Sequence, residues 1–169
     1  MLPRFQVRSA HPPTPVVKTA CFLLLALLPA SAADDKGASD LPGGPGKDLT
    51  ARICLDCHDS GNFRRKRFTS DDWSDSVADM VDRGAKATPA EIDAVVAYLA
   101  TNFGPDSPVR INTAPFAEIK FVLGFTVAET TALLQYRQKF GPLKGFPDLL
   151  KVPGIDPAKA ASRKPQIAF

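Results

Sequence analysis

The sequence predicts an all-α protein built from two small helical parts. Three observations point there. Apolar residues return every three or four positions, several of these segments open on Ser, Thr or Asp with acids in the first turn, and they close on Gly or Gly-Pro. No alternating apolar–polar run of strand type precedes Ile53.

Taken in order, residues 1–32 carry Arg4, Arg8 and Lys18 and no acid, then the apolar run Thr19–Leu28, Pro29 and Ala30-Ser31-Ala32. A basic start, a short apolar centre and an A-x-A end are the pattern of a secretory signal peptide, with cleavage expected after Ala32. The run is too short for a membrane-spanning helix, which needs about 20 apolar residues; an uncleaved anchor is the alternative. Cys21 is not placed as a lipidation site, because its apolar run follows it. Residues 33–47 are rich in Gly, Pro and Asp and read as a flexible tether.

In residues 48–105, Asp48 can cap a helix on which Leu49, Ile53 and Cys57 share one face. A loop follows His58 and holds the basic run Arg64-Arg65-Lys66-Arg67 between Phe63 and Phe68. Ser70 can cap the next helix, with Asp71 and Asp72 where the helix dipole favours anions; its apolar stripe is Trp73, Val77, Met80 and Val81, and Gly84 ends it. A third helix opens with the capping box Thr88–Glu91 and Pro89 at its first position, buries Ile92, Val95, Val96 and Leu99, and ends at Gly104-Pro105.

The chemistry concentrates in Cys54-Leu55-Asp56-Cys57-His58. C-x-x-C-H is the spacing of a c-type haem attachment site, in which Cys54 and Cys57 add to the haem vinyl groups and His58 becomes the proximal iron ligand. A redox dithiol or half of a zinc site would share the C-x-x-C spacing. A structural zinc site wants four ligands, and a thioredoxin-like dithiol should follow a strand. The other cysteine and histidine, Cys21 and His11, both fall in the leader, so the mature chain of about 137 residues keeps no second pair, and zinc would need Asp56, Asp59 or outside help. Haem attachment to this motif in bacteria takes place outside the cytoplasmic membrane, so motif and leader agree on the periplasm. Met80 is the one methionine apart from Met1; a methionine in such a stripe usually packs in a core, but here it is also the available thioether for the distal iron position. Arg67 is the candidate for pairing a haem propionate through its planar fork.

Residues 48–105 resemble the small mono-haem cytochrome c family through C-L-D-C-H at 54–58, Arg67, Trp73, Met80-Val81, Gly84-Ala85 and Ala97-Tyr98-Leu99-Ala100 before Phe103. The resemblance implies a helical fold in which the last helix packs across the first, and electron transfer rather than enzymatic turnover. Many such cytochromes place the distal methionine on a loop farther from the histidine, whereas Met80 stands in a helix, 22 positions after His58.

Beyond the stiff link Pro105–Pro108, residues 107–169 hold no Cys, His, Met or Trp. Phe116, Ile119 and Val122 mark one helix, the turn Leu123-Gly124-Phe125 leads to Thr126 as cap with Glu129 as its partner, and Asp148-Leu149-Leu150 precedes a second turn, Pro153-Gly154-Ile155. With Ile111-Asn112-Thr113-Ala114, Tyr136-Arg137 and Phe140-Gly141-Pro142-Leu143, this pattern resembles the tandem helix-hairpin-helix domain of the ComEA family of periplasmic DNA receptors. Such hairpins bind phosphate through backbone N–H groups, with a glycine permitting close approach. Gly124, Gly154 and Lys159 are thus the candidates for DNA or partner contact. Thr126 and Asp156 replace the second glycine of each turn, and Asp156 sets a negative charge where phosphate would sit.

Residues 107–169 carry nine basic and four acidic side chains, net +5, against nine and fourteen, net −5, over residues 33–106. Opposite signs favour mutual docking or steering toward two partners. No Ser/His/Asp or Cys/His set survives outside the haem motif, so hydrolytic and thiol catalysis are not expected. Two functions stay open. One is a periplasmic single-haem electron carrier docked by its hairpins to a redox partner such as a dehydrogenase or oxidase. The other is a DNA-binding protein with a structural or redox-sensing haem.

Overall fold

The computed structural model describes residues 35–169; the leader and its cleavage point lie outside the described residues. Among the described residues there are eight α-helices and one two-stranded sheet, and none of these helices is long and apolar enough to cross a membrane.

Four helices form the first half: α1 (Lys47–Cys54), α2 (Gly61–Arg64), α3 (Ser70–Asp82) and α4 (Pro89–Phe103). α4 packs on both α1 and α3, around a core of Trp73, Val77, Val95, Leu99 and Phe103. Helix α1 starts one residue before the expected cap: Asp48 lies inside the first turn and Gly46, at φ 88°, is the N-cap. A Cβ at Gly46 would fall 2.8 Å from the Ala94 carbonyl and from Tyr98 Cβ, so the close approach of α1 to α4 requires glycine. Helix α3 is capped by Thr69 rather than Ser70, because Thr69 is the hydroxyl three residues ahead of Asp72, with which it forms a capping box. The Thr88–Glu91 box and Pro89 open α4 as expected. At the end of α4 the Phe103 carbonyl, which no further helical turn can satisfy, accepts from the Trp73 indole and the Phe68 backbone, both at 3.2 Å.

Residues 35–46 are not the solvated tether expected of their composition. Leu41 is buried in the first core, the Tyr98 hydroxyl donates to the Pro42 carbonyl at 2.6 Å, and the Ser60 amide donates to the Lys36 carbonyl. The Tyr98 phenol, pushed up to about 12 by burial against the weaker pull of Arg64 and Arg110, remains a donor at any ordinary pH. Sequence composition indicates solvation, but these backbone groups find partners on Tyr98 of α4 and on Ser60 ahead of α2.

The second half holds α5 (Phe116–Val122), α6 (Val127–Phe140), α7 (Phe146–Leu149) and α8 (Pro157–Arg163). The core here is Ile111, Ile119, Leu123, Phe125, Leu133, Leu149 and Ile155 with their neighbours. Two turns join the helices in pairs, and Gly124 (φ 69°) and Gly154 (φ 85°) supply the left-handed residue each turn needs. A sequence-distant feature closes this half: β1 (Val109–Arg110) pairs in parallel with β2 (Ile167–Ala168). Asn112 fastens the middle by donating to and accepting from the Leu143 backbone, and Arg137 donates to the Ile111 and Ala114 carbonyls. The matching Ile-Asn-Thr-Ala and Tyr-Arg segments are therefore a lock between the hairpins.

Candidate functional site

Helix α1 delivers the cysteine motif. Its last residue is Cys54; Cys57 and His58 follow in the turn beyond, so only the first thiol is on the helix itself. Cys54 is half-buried and Cys57 exposed, and both are free thiols. Burial pushes the Cys54 thiol up to about 11, which keeps it protonated and unlike the acidified thiol of a redox dithiol. Among the described residues no three His, Cys, Asp or Glu side chains converge as a zinc site would require.

His58 Nδ1 lies 3.1 Å from the Asp59 carbonyl. A carbonyl can only accept, so the ring keeps its proton on Nδ1 and leaves the Nε2 lone pair for a metal. Around these residues opens a cleft of two lobes, about 190 and 250 Å³, both lined by Cys54, His58, Val77 and Met80. Trp73, Phe63 and Leu99 wall the first lobe, Ile53, Val81 and Cys57 the second. Met80 is thus brought to the same cleft as His58 by the stripe that places Trp73 and Val77 in the core. One imidazole, one thioether, two thiols and apolar walls are a donor set that fits a covalently held haem. Cations stand in the lining, Arg65 and Lys66 in one lobe and Arg83 in the other.

Arg67 is not among them, and the propionate role expected for it is corrected here. Its Nη2 donates to Glu118 at 2.8 Å, its Nε to the Ser107 carbonyl and its Nη1 to the carbonyls of Arg64 and Lys66. Arg64 shares the same carboxylate, Nε to Glu118 Oε2 at 2.8 Å, and also donates to the Asp40 carbonyl. The three side chains are 1% (Arg64), 2% (Glu118) and 12% (Arg67) exposed. The basic run therefore divides: Arg64 and Arg67 turn inward and tie α2 to α5, while Arg65 and Lys66 are left for the cleft. The sequence offered one signal for this, a glutamate beside the apolar Ile119 of a short helix.

The hairpins present a second surface. Thr126 caps α6 in a box with Glu129, as expected, and Asp156 caps α8 by accepting from the Ala158 and Lys159 amides. Glu129 does more than its box requires. It accepts from the Thr126 amide at 2.7 Å, the Asp156 amide at 3.2 Å and Lys159 Nζ at 2.7 Å. Burial works to raise its carboxyl, but the Lys159 ammonium and these amides outweigh it and hold the group at about 2. Lys159 is consequently already paired, and one carboxylate spans both hairpin ends. Gly124 and Gly154 remain exposed, and a Cβ at Gly124 would lie 3.5 Å from Arg163 Nη2, a cation that pattern reading had not singled out at this turn.

With the two hairpins in view, comparison with known families adds one finding: residues 105–168 match the family described as helix-hairpin-helix motif. Nothing among curated proteins or solved structures matches the chain. The paired turns at Gly124 and Gly154, the lock between them and this match together establish that the carboxy-terminal part of this mostly helical chain is a helix-hairpin-helix domain.

Proposed function

We propose that the protein is a periplasmic c-type haem protein that carries single electrons, with its helix-hairpin-helix domain as the docking module. The observation that supports it most is one apolar cleft lined by Cys54, Cys57, His58 and Met80. A haem held there by Cys54, Cys57, His58 and Met80 would supply one-electron chemistry, and histidine–methionine ligands would favour a raised potential. The chain's own contribution is positional. Cys54 and Cys57 anchor, the Asp59 carbonyl orients His58, and Val77, Trp73 and Leu99 give the lobe they line an apolar wall. Arg65, Lys66 and Arg83 offer cations for the cofactor's carboxylates. Mass spectrometry of the chain matured in a haem-attaching host tests this. A one-porphyrin gain is expected, abolished when both cysteines are replaced by alanine; the absence of any gain refutes the reading.

A second reading, DNA binding with a structural or redox-sensing haem, is favoured by the helix-hairpin-helix match, which bears on this reading and not on haem. The +5 charge of residues 107–169 and Arg163 beside Gly124 also favour it. Against it stand Asp156 and the Glu129 carboxylate, which occupies the amides and the lysine a phosphate would use. Duplex binding that weakens steeply with salt would support it, and no binding at low salt would eliminate it.

A further inference from the structure

We propose that the 65–66 segment and helix α5 form one composite docking surface for an acidic protein partner, centred on Phe121. Phe121 is 57% exposed, and its ring has the Arg65 guanidinium at 5.8 Å and Lys120 Nζ at 5.1 Å from its centre. An exposed aromatic beside an arginine matches the residues enriched at interface centres, and the lysine adds charge of the kind found at the rim.

Two further observations fix where the surface lies and how firmly it is built. Arg65 and Lys66 line the same cleft as Cys54 and His58, so a partner seated on Phe121 sits beside the cofactor site. Arg65 stands between Arg64 and Arg67, both locked to Glu118 one turn before Phe121 on the same helix. That triad holds the two halves of the surface in register, so docking there does not first have to order them.

Charge selects the partner. Asp106 lies in the groove with Arg65, Arg67 and Phe121, and Arg67 there is paired to Glu118, but the two charges nearest the Phe121 ring, Arg65 and Lys120, are both cations. Helix α3 on the same half carries exposed Asp71, Asp72, Asp75, Asp79 and Asp82. An acidic protein is therefore repelled by α3 and drawn to the Phe121 patch, which sets its approach. A nucleic acid would share the attraction, but its phosphates do not call for an apolar centre, and the hairpin donors it would use are taken by Glu129.

That the partner is a redox protein rests on the haem reading; the surface itself can be tested apart from it. The mature full-length protein, reduced and isotopically labelled, is titrated at low salt with poly-L-glutamate, and separately with a twelve-base-pair duplex, while backbone amide shifts are followed. Poly-L-glutamate is expected to move amides of residues 65–66 and 119–122. Lys120→Glu and Phe121→Ser are each expected to weaken that binding about three- to tenfold with the optical spectrum unchanged. Shifts elsewhere, or undiminished binding by both variants, overturn the proposal, as does a duplex that binds these residues more tightly than poly-L-glutamate. Failure of haem attachment is read separately by mass and leaves the shift map measurable.

Discussion

Replacing Glu118 by glutamine removes the anion that two buried guanidiniums share. In the native chain each carboxylate oxygen accepts one bond of 2.8 Å, from Arg64 Nε and Arg67 Nη2. Their other recorded partners are carbonyls, the Asp40 carbonyl for Arg64 and the Ser107, Arg64 and Lys66 carbonyls for Arg67. Glutamine keeps one acceptor and adds a donor that meets a cation, so one arginine loses its hydrogen bond and both lose their counter-charge. Removing one partner of a buried ion pair costs about 3–5 kcal/mol. The retained carbonyl bonds place this variant near the lower figure, about 3 kcal/mol. Against a stability of about 5–15 kcal/mol for a domain this is a large fraction. With a urea m-value of about 2 kcal/mol/M the midpoint falls by about 1.5 M. Because the pair is buried, 1 M salt should leave the loss nearly intact. The triad also joins the core around Trp73 to the core around Leu133, so the variant is expected to split one unfolding transition into two when tryptophan fluorescence and helicity are compared. A loss below 1 kcal/mol, or one that salt erases, would refute the assignment of the triad as a buried clamp.

Other outcomes follow from the same geometry. Met80→Ala should open the distal side of the loaded site and shift the haem optical spectrum; an unchanged spectrum in both redox states removes Met80 from the iron. Glu129 is held at about 2 against an ordinary 4.5, so its stabilisation is fully present above pH 4.5 and is lost as pH falls toward 2. Glu129→Gln should therefore be about 1–2 kcal/mol less stable than wild type at pH 7, a figure discounted for solvent around Lys159, with the gap closing near pH 2 in acid-titrated denaturation curves. Asn112→Ala loses both bonds to Leu143 and should cost about 1–3 kcal/mol, seen as a lower thermal midpoint with the haem spectrum unaltered.

What could be read from the sequence was local. The boxes Thr88–Glu91 and Thr126–Glu129 and the glycines of both hairpins were all legible, because each is a contest settled within four residues. The grouping of Met80 with the cysteine motif was legible too, since a helical period of 3.6 puts it on the stripe of Trp73 and Val77. What escaped was non-local. Nothing in the run 64–67 says which arginine will face inward, since the choice is made by Glu118, 54 residues from Arg64. The burial of Leu41 and Pro42 depends on Tyr98, and the pairing of Val109 with Ile167 on the closure of the whole second half. Glu129 was read as the partner of the Thr126 cap and is also a bridge, because its second and third donors come from the other hairpin.

The unequal placement of charge has a consequence for the protein in bulk. A body with an acidic α3 face and a basic carboxy-terminal half, almost balanced in sum, is a large permanent dipole with little overall repulsion between copies. In dilute buffer such molecules are expected to associate end to end and turn cloudy as they are concentrated. A Debye length of about 8 Å at physiological ionic strength is short enough to dissolve those stacks. Light scattering that clears on adding salt, and returns on dialysis, is the expected laboratory behaviour.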